Sequence, residues 1–326
     1  MQQPTALWHL SDKRSEIRPI PSVLSIQGDC EVKAMYSLVS TGTERLVACG
    51  RVPGNLHESM QVPYMEGSFS FPVKYGYSLV GEVIDGPENL KRKIVHLLHP
   101  HQDYCVVLAK DAFVVPREVT PQRATLASNL ETALNAIWDS GVSAGDKVMV
   151  VGFGIIGSLV ARLLSLLPAV QVVVADIDQN RINSAERMGF STAQAEDLGA
   201  DFDLAFHCSS QETGLQTCID KTGPEGKIIE LSWYGNKAVT VNLGGTFHSQ
   251  RKSIISSQVS AIPASKQARW NFHRRKQVVF ELLKNPAFDQ HIAATIGFRE
   301  LPALFDKIRK GQVNALSYGV SYEIKE

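Results

Sequence analysis

Cysteine, net charge and unbroken apolar runs are all scarce in this chain of 326 residues. Each scarcity excludes something. The five cysteines, Cys30, Cys49, Cys105, Cys208 and Cys218, are odd in number and scattered, with no CxxC pair. They read as reduced thiols in a cytosolic protein and exclude a cysteine-based zinc knuckle. Charge is balanced at 33 basic against 33 acidic residues. That leaves no field for capturing nucleic acid or an anionic membrane, so a small-molecule partner is expected. The most apolar stretch, LVARLLSLLPAVQVVVAD, is interrupted by Arg162 and Pro168 and is too broken to span a bilayer. The first residues, MQQPTALWHLSDKRSEIR, lack the apolar core of a signal peptide, and a cytoplasmic location is the expectation.

What the chain does have is core. With 44% hydrophobic residues its length favours two domains over one. Up to about Pro121, short β-branched runs such as CEVKAMYSLVS, YSLVGEVIDG and DYCVVLAK lie between turn signals, the texture of an all-β domain. From PQRATLASNLETALNAIWDSG the spacing turns helical, and from Asp146 strands and helices alternate, the signature of a parallel sheet with crossover helices. The rhythm breaks after KSIISSQVSA. From Ala268 two helical stretches and a final strand, YGVSYEI, return to the first domain. The expected domains are 1–121 completed by 266–326, and 122–265.

One motif stands out. Gly152-Phe153-Gly154-Ile155-Ile156-Gly157 fits GxGxxG, follows the apolar run Val148–Val151 and opens a helix. The next strand, VVVAD, ends at Asp176, nineteen residues after Gly157. That context is the dinucleotide fingerprint. Gly152 permits the tight turn, Gly154 lets backbone approach a pyrophosphate, and Gly157 lets helix and strand pack. The helix start, with Ile155 and Ile156, offers unpaired N–H groups and partial positive charge to phosphates. Asp176 would accept hydrogen bonds from the adenine-ribose hydroxyls and repel a 2′-phosphate, which favours NAD(H) over NADP(H). Arg181 would offset part of that repulsion if it reached the ribose; the plainer role is a solvated helix residue.

The whole layout resembles the medium-chain dehydrogenase/reductase superfamily. The likeness rests on Thr41-Gly42-Thr43-Glu44, Gly76 to Val83, LETALNA (Leu130–Ala136) and the fingerprint with Asp176. Within it the chain is similar to the zinc-binding alcohol dehydrogenase-like branch, including hydroxyethyl bacteriochlorophyllide dehydrogenases, which share a STGTERL-like stretch. The resemblance implies an α/β fold, a Rossmann doubly wound parallel sheet plus a GroES-like all-β catalytic domain, and a homodimer. It also exposes departures. Where zinc members place cysteine, histidine-glutamate and a third ligand, this chain has Thr41, Tyr77-Ser78 and Ser128. Hydroxyls are poor zinc donors. The region from Lys91 to Pro116, where a four-cysteine lobe would lie, holds only Cys105, and the relay histidine expected near Leu46 is missing. No zinc is expected.

Something else must then polarise the substrate oxygen, a task worth several kcal/mol when a metal does it. Tyr77 is the first candidate, with Lys74 to draw its phenol down from ~10. Packing against neighbouring strands is the competing role. Thr43 matches the family hydroxyl that contacts the reacting oxygen, and Glu44 is expected at the surface or beside the nicotinamide. The resemblance puts Thr132 on the nicotinamide ring and Leu98, His99 and His101 on the substrate pocket. His99 and His101 share a face of an extended segment, with no third ligand spaced to make a metal site. His207 and Ser209 fall at a strand's carboxyl end, where open α/β sheets gather ligands, and Trp233 and Tyr234 reach the same edge. The basic run RWNFHRRK (269–276) reads as a solvated helix face. The expected activity is zinc-independent, NAD(H)-linked hydride transfer on an alcohol/ketone pair. Reduction of an enone double bond, or dinucleotide binding without catalysis, are the alternatives.

Overall fold

The structure is a computed structural model that describes residues 3–21, 29–313 and 315–323. Two units divide the chain. One is Met1–Ser128 with Phe280–Glu326, the other Asn129–Val279. The expected breaks, 121/122 and 265/266, fall where the sequence pattern changes from extended to helical or back.

The first unit opens with a hairpin of β1 (Thr5–Ser11) and β2 (Arg14–Pro19), then the long strand β3 (Asp29–Val39), which feeds α1 (Thr41–Ala48). Short strands follow: β4 (Glu66–Gly67), β5 (Val73–Lys74), β6 (Leu79–Asp85), β7 (Ile94–Leu97), β8 (Tyr104–Leu108) and β9 (Phe113–Val114). A turn of helix, α2 (Pro121–Ala124), is capped by Thr120, whose hydroxyl accepts the Arg123 N–H at 3.2 Å. Then α3 (Ala127–Ser140) begins.

The second unit is a single parallel sheet with its crossovers. In chain order it runs β10 (Lys147–Val151), α4 (Ile155–Leu164), β11 (Gln171–Ala175), α5 (Gln179–Arg187), β12 (Ser191–Ala193), β13 (Phe202–His207), α6 (Glu212–Lys221), β14 (Thr222–Glu230), α7 (Thr246–Ser249) and β15 (Ser253–Ser256). Two helices, α8 (Ala264–Gln267) and α9 (Phe272–Leu282), complete it. The strand order is β12-β11-β10-β13-β14-β15, all pairs parallel. Val148, Met149 and Val150 are fully buried, as a strand covered on both faces requires, and each such side chain contributes ~1.5–3 kcal/mol. After β10 and α4 the chain adds strands on one side; from β13 it adds them on the other. That reversal beside β10 opens the crevice in which such sheets bind ligands.

The chain then returns to the first unit with β16 (Ala294–Gly297), α10 (Leu301–Arg309) and β17 (Tyr318–Ser321). The expected last strand stops at Ser321, and Ile324 lies outside the described residues. Two sheets result, β2-β1-β5-β4 and β16-β17-β3-β6-β7-β9, the second with β8 on the other part of β3. In α10, Leu301, Leu304, Phe305 and Ile308 recur at helical spacing and bury against Leu7, Val39 and Val320.

Candidate active site

The carboxyl edge of the parallel sheet carries the cofactor-binding candidates. After β10 the backbone turns through Gly152 at φ +97°, and a Cβ there would lie 2.6 Å from the Ser209 nitrogen. A Cβ on Gly157 would lie 1.9 Å from the Gly152 carbonyl oxygen. The fold itself demands both glycines. Gly154 is different, because a Cβ there meets no protein atom within 4 Å. The open space lies at the start of α4, beside the N–H groups of Ile155, Ile156 and Gly157, where a pyrophosphate would approach backbone.

Asp176 directly follows the second strand of this edge, β11. Its carboxylate accepts the Phe153 N–H at 2.6 Å and the Asp178 N–H at 2.9 Å, tying the glycine-rich turn to the end of β11. Asp178 in turn caps α5, which carries half-buried Arg181 in its first turn.

At the ends of β13 and β14 a buried polar ladder forms. The Ser209 hydroxyl accepts the Gln211 N–H at 3.2 Å and lies within hydrogen-bond distance of His207 Nε2 at 2.7 Å. His207 Nδ1–H then points to the Glu230 carboxylate at 2.8 Å. Tyr234 donates its phenol to the same carboxylate at 3.1 Å, and the Ser232 N–H donates at 2.7 Å. Half-buried Trp233 stands between those two residues, so Ser209 and Trp233 share this edge with the glycine turn and Asp176. His207 is a satisfied, fully enclosed histidine. Burial, and then the Glu230 charge, push the neighbouring Cys208 thiol up.

Thr132 sits half-buried in α3, one residue after Glu131. Glu131 pairs with Arg275 at 3.2 Å and with Lys276, and Arg275 also donates to the Asn135 side chain at 2.8 Å. All four are buried. This corrects the reading of 269–276 as a solvated face: Phe272, His273 and Arg274 are exposed, but Arg275 and Lys276 turn inward. The missed signal was Glu131 itself, the one charge of α3 before Asp139.

The first unit holds the other candidates. Gly76 has φ +139°, and a Cβ would press on His101 and Pro100 at 3.0–3.1 Å, so the stretch KYGYSLVGEV needs its first glycine. Tyr77 follows, half-buried, with its ring edge-on to Tyr75 at 6.1 Å. Lys74 is 2% exposed, and its ammonium is held by Glu66 and by the Gln102 side chain at 2.8 Å. Thr43 is half-buried in α1. Glu44 is not at the surface: it is 0% exposed, accepting the Ser40 N–H at 2.8 Å and facing His101 Nε2 at 2.9 Å. His101 continues to Ser37 at 2.8 Å, and Ser37 to the Tyr322 phenol at 3.0 Å. His99 stacks on Tyr64 at 5.2 Å and bonds the Pro100 carbonyl at 2.9 Å. Of the three residues assigned to the substrate pocket, only Leu98, 40% exposed, reaches solvent.

No family model matches the chain. A search of curated proteins finds (R,R)-butanediol dehydrogenase of Bacillus subtilis, 25% identical over 277 residues, covering 70% of this chain and 76% of that one. It also finds sheep sorbitol dehydrogenase, 28% identical over 149 residues, 41% of this chain and 42% of the relative. The alignment thus spans less than half of that second enzyme. Among solved structures, the B. subtilis 2R,3R-butanediol dehydrogenase superposes at a TM-score of 0.77 with 19% identity, covering 98% of this chain and all of the other. A putative zinc-binding dehydrogenase from Sinorhizobium meliloti, bound to NADP, gives 0.78 with 17% identity over 98% and 100%.

The chain is a relative of the medium-chain dehydrogenase/reductases.

The chain is an alcohol dehydrogenase-like oxidoreductase of that kind, and the open cradle at Gly154 with Asp176 beyond it fits a nicotinamide dinucleotide. Zinc fits poorly. At two of the positions that the resemblance assigns to zinc ligands, Ser78 donates its hydroxyl to the Thr125 carbonyl at 2.5 Å and Ser128 donates to the Tyr77 carbonyl at 2.8 Å. Among the described residues no three His, Cys, Asp or Glu side chains gather as a metal-binding group. No helix there is long and apolar enough to cross a membrane.

Proposed function

We propose that the chain is a zinc-independent, NAD(H)-linked dehydrogenase/reductase acting on an alcohol/ketone pair. The observation that carries it is the acid at the end of β11. Asp176 is fixed by two backbone N–H groups beside a glycine turn whose Gly154 leaves open space. A fixed carboxylate there favours a ribose carrying two hydroxyls and opposes a 2′-phosphate, so NADP(H) is the weaker cofactor. Arg181, Thr132, Ser209 and Trp233 complete the cofactor contacts in this reading, with Thr132 and Trp233 toward the nicotinamide.

A bound nicotinamide supplies the hydride acceptor or donor. The chain's own contribution is to hold the substrate and steady the charge on its oxygen. Tyr77 and Thr43 are the hydroxyls assigned to that oxygen, each donating a hydrogen bond that strengthens as negative charge develops. Lys74 adds positive charge from inside the wall, through a side chain anchored by Glu66 and Gln102. Leu98 offers apolar surface to the carbon skeleton, with His99 and His101 behind it. The butanediol and sorbitol dehydrogenases among the relatives support a small secondary alcohol as substrate. Homodimerisation, implied by the resemblance, belongs to the same reading.

The test is a titration followed by a substrate panel. NADH should bind at least tenfold tighter than NADPH, a difference of about 1.4 kcal/mol, and Asp176→Ser should narrow that gap. Secondary alcohols, with 2,3-butanediol and sorbitol among them, should reduce NAD. Equal affinities would overturn the cofactor assignment, and turnover of enones but not ketones would change the reaction class.

A further inference from the structure

His96 lies in β7, a strand otherwise made of apolar residues, and is 1% exposed. Its Nε2 is 3.2 Å from the Ser78 hydroxyl and 3.2 Å from the Ser128 hydroxyl. Each hydroxyl has a single hydrogen, and each gives it to a main-chain carbonyl, Thr125 for Ser78 and Tyr77 for Ser128. Oxygens that have donated can only accept from a third partner. Nε2 therefore carries a hydrogen and shares it between the two serines.

This arrangement draws four segments onto one ring nitrogen. Ser78 stands immediately before β6, His96 is in β7, Thr125 follows α2, and Ser128 opens α3. The ring itself is backed by Phe280, with centroids 6.1 Å apart. A buried polar knot of this kind specifies one arrangement because every alternative leaves a polar atom without its partner.

We infer that His96 takes over the organising task of the absent metal site: it gathers Ser78 and Ser128 about one N–H and, through Ser128, fixes the Tyr77 main chain. The inference rests on the zinc-independent reading above and adds a residue to it. His96 is a positioning residue that acts on the substrate oxygen only through the placement of Tyr77.

The test is a double-mutant cycle on the full chain, read as NAD-linked turnover of 2,3-butanediol alongside the metal content. His96→Leu should lower kcat roughly 10–100-fold, as a small misplacement of an oxyanion donor does, with the KM for NAD changed less than about twofold. His96→Gln, whose amide N–H can donate in the same direction, should recover most of the loss. In a Tyr77→Phe background His96→Leu should be nearly silent. Equal losses in both backgrounds, or a Gln variant as poor as Leu, would reduce His96 to a packing residue and overturn the inference. One zinc per chain in the unmutated protein would overturn the zinc-independent reading instead, and the His96 inference with it. If butanediol is not turned over or the Leu variant does not fold, NMR of the Gln and Ser128→Ala variants carries the test. The His96 Nε2–H resonance should be present in the unmutated protein, unchanged by one equivalent of zinc. Ser128→Ala should move both it and the Tyr77 ring signals, and unmoved Tyr77 signals would overturn the proposal.

Discussion

His101 Nε2 and Glu44 Oε2 meet at 2.9 Å in a place water does not reach, both residues being fully buried. The contact ties α1 to the segment after β7 and extends through Ser37 to Tyr322 on the last stretch of chain. Glu44 also accepts the Ser40 N–H at the start of α1, so its carboxylate serves two elements.

Removing that carboxylate leaves a buried imidazole N–H and a helix-start N–H without acceptors. Glu44→Leu should lower stability by about 3 kcal/mol, while Glu44→Gln, which keeps an acceptor, should cost about half as much. Urea unfolding curves report both. An unchanged midpoint in the Leu variant would show that the chain of bonds adds nothing to the fold.

Two glycines of the turn, Gly157 and Gly154, should separate stability from binding. Gly157→Ala drives a methyl into the Gly152 carbonyl and should unfold early. Gly154→Ala meets no protein atom, so its melting temperature should match the unmutated protein. Its NADH affinity should nonetheless fall about tenfold or more, some 1.4 kcal/mol, because the methyl occupies the space of the pyrophosphate. A Gly154→Ala protein with normal NADH affinity would place the cofactor elsewhere.

Acid should weaken the first unit through two histidines. Burial, then the Arg309 charge, lower His9 to about 3; burial lowers His99 to about 3 against the opposing bond to the Pro100 carbonyl. Both values lie below the ~6.5 of an unfolded histidine. Above pH 6.5 the two states bind the same protons there and the contribution is complete. As pH falls from 6.5 toward 3 the unfolded chain takes up protons that the folded one refuses, and stability is lost by roughly 1.4 kcal/mol per pH unit for each histidine. Urea midpoints from pH 7.5 to 5 should show this slope, and His9→Gln should flatten it. A flat profile in the unmutated protein would mean that neither ring is held neutral.

Tyr77→Phe removes one hydroxyl and keeps the ring against Tyr75. If the phenol steadies the substrate oxygen, kcat should drop ~10²–10³-fold with NADH affinity unchanged. Full turnover on a good alcohol would leave Thr43 as the remaining hydroxyl and end the assignment of Tyr77.

The glycine-rich turn and the acid beyond it were legible as local structure because they are close in sequence. A strand, a glycine turn, a helix start and an acid at the next strand end are consecutive in sequence, and the structure sets Gly152, Gly154, Gly157 and Asp176 along one sheet edge. The first unit was legible in its β texture but not in its pairings. Glu44 finds His101 across fifty-seven positions and His96 finds Ser128 across thirty-two, and no periodicity encodes such partners. Arg275 and Lys276 misled for the same reason. A basic run is ordinarily solvated, and only the buried Glu131 far upstream reverses that. Lys74, expected to tune a phenol, is anchored by Glu66 and Gln102, which sequence spacing gave no means of choosing.

The strand β3 accepts β17 along Tyr36–Val39, and β17 accepts β16, so the larger sheet of the first unit is finished by the last part of the chain. On a ribosome this imposes a waiting time. Residues 1–128 emerge first, yet the partner of β3 follows almost two hundred residues later, a delay of roughly 10–40 s at ordinary elongation rates. The parallel sheet is contiguous in sequence and can close during that interval. The Tyr36–Val39 part of nascent β3, left bare on one edge while β8 covers Asp29–Lys33, is then the surface on which chaperones would act, and synonymous codons that slow residues 280–320 would lengthen its exposure.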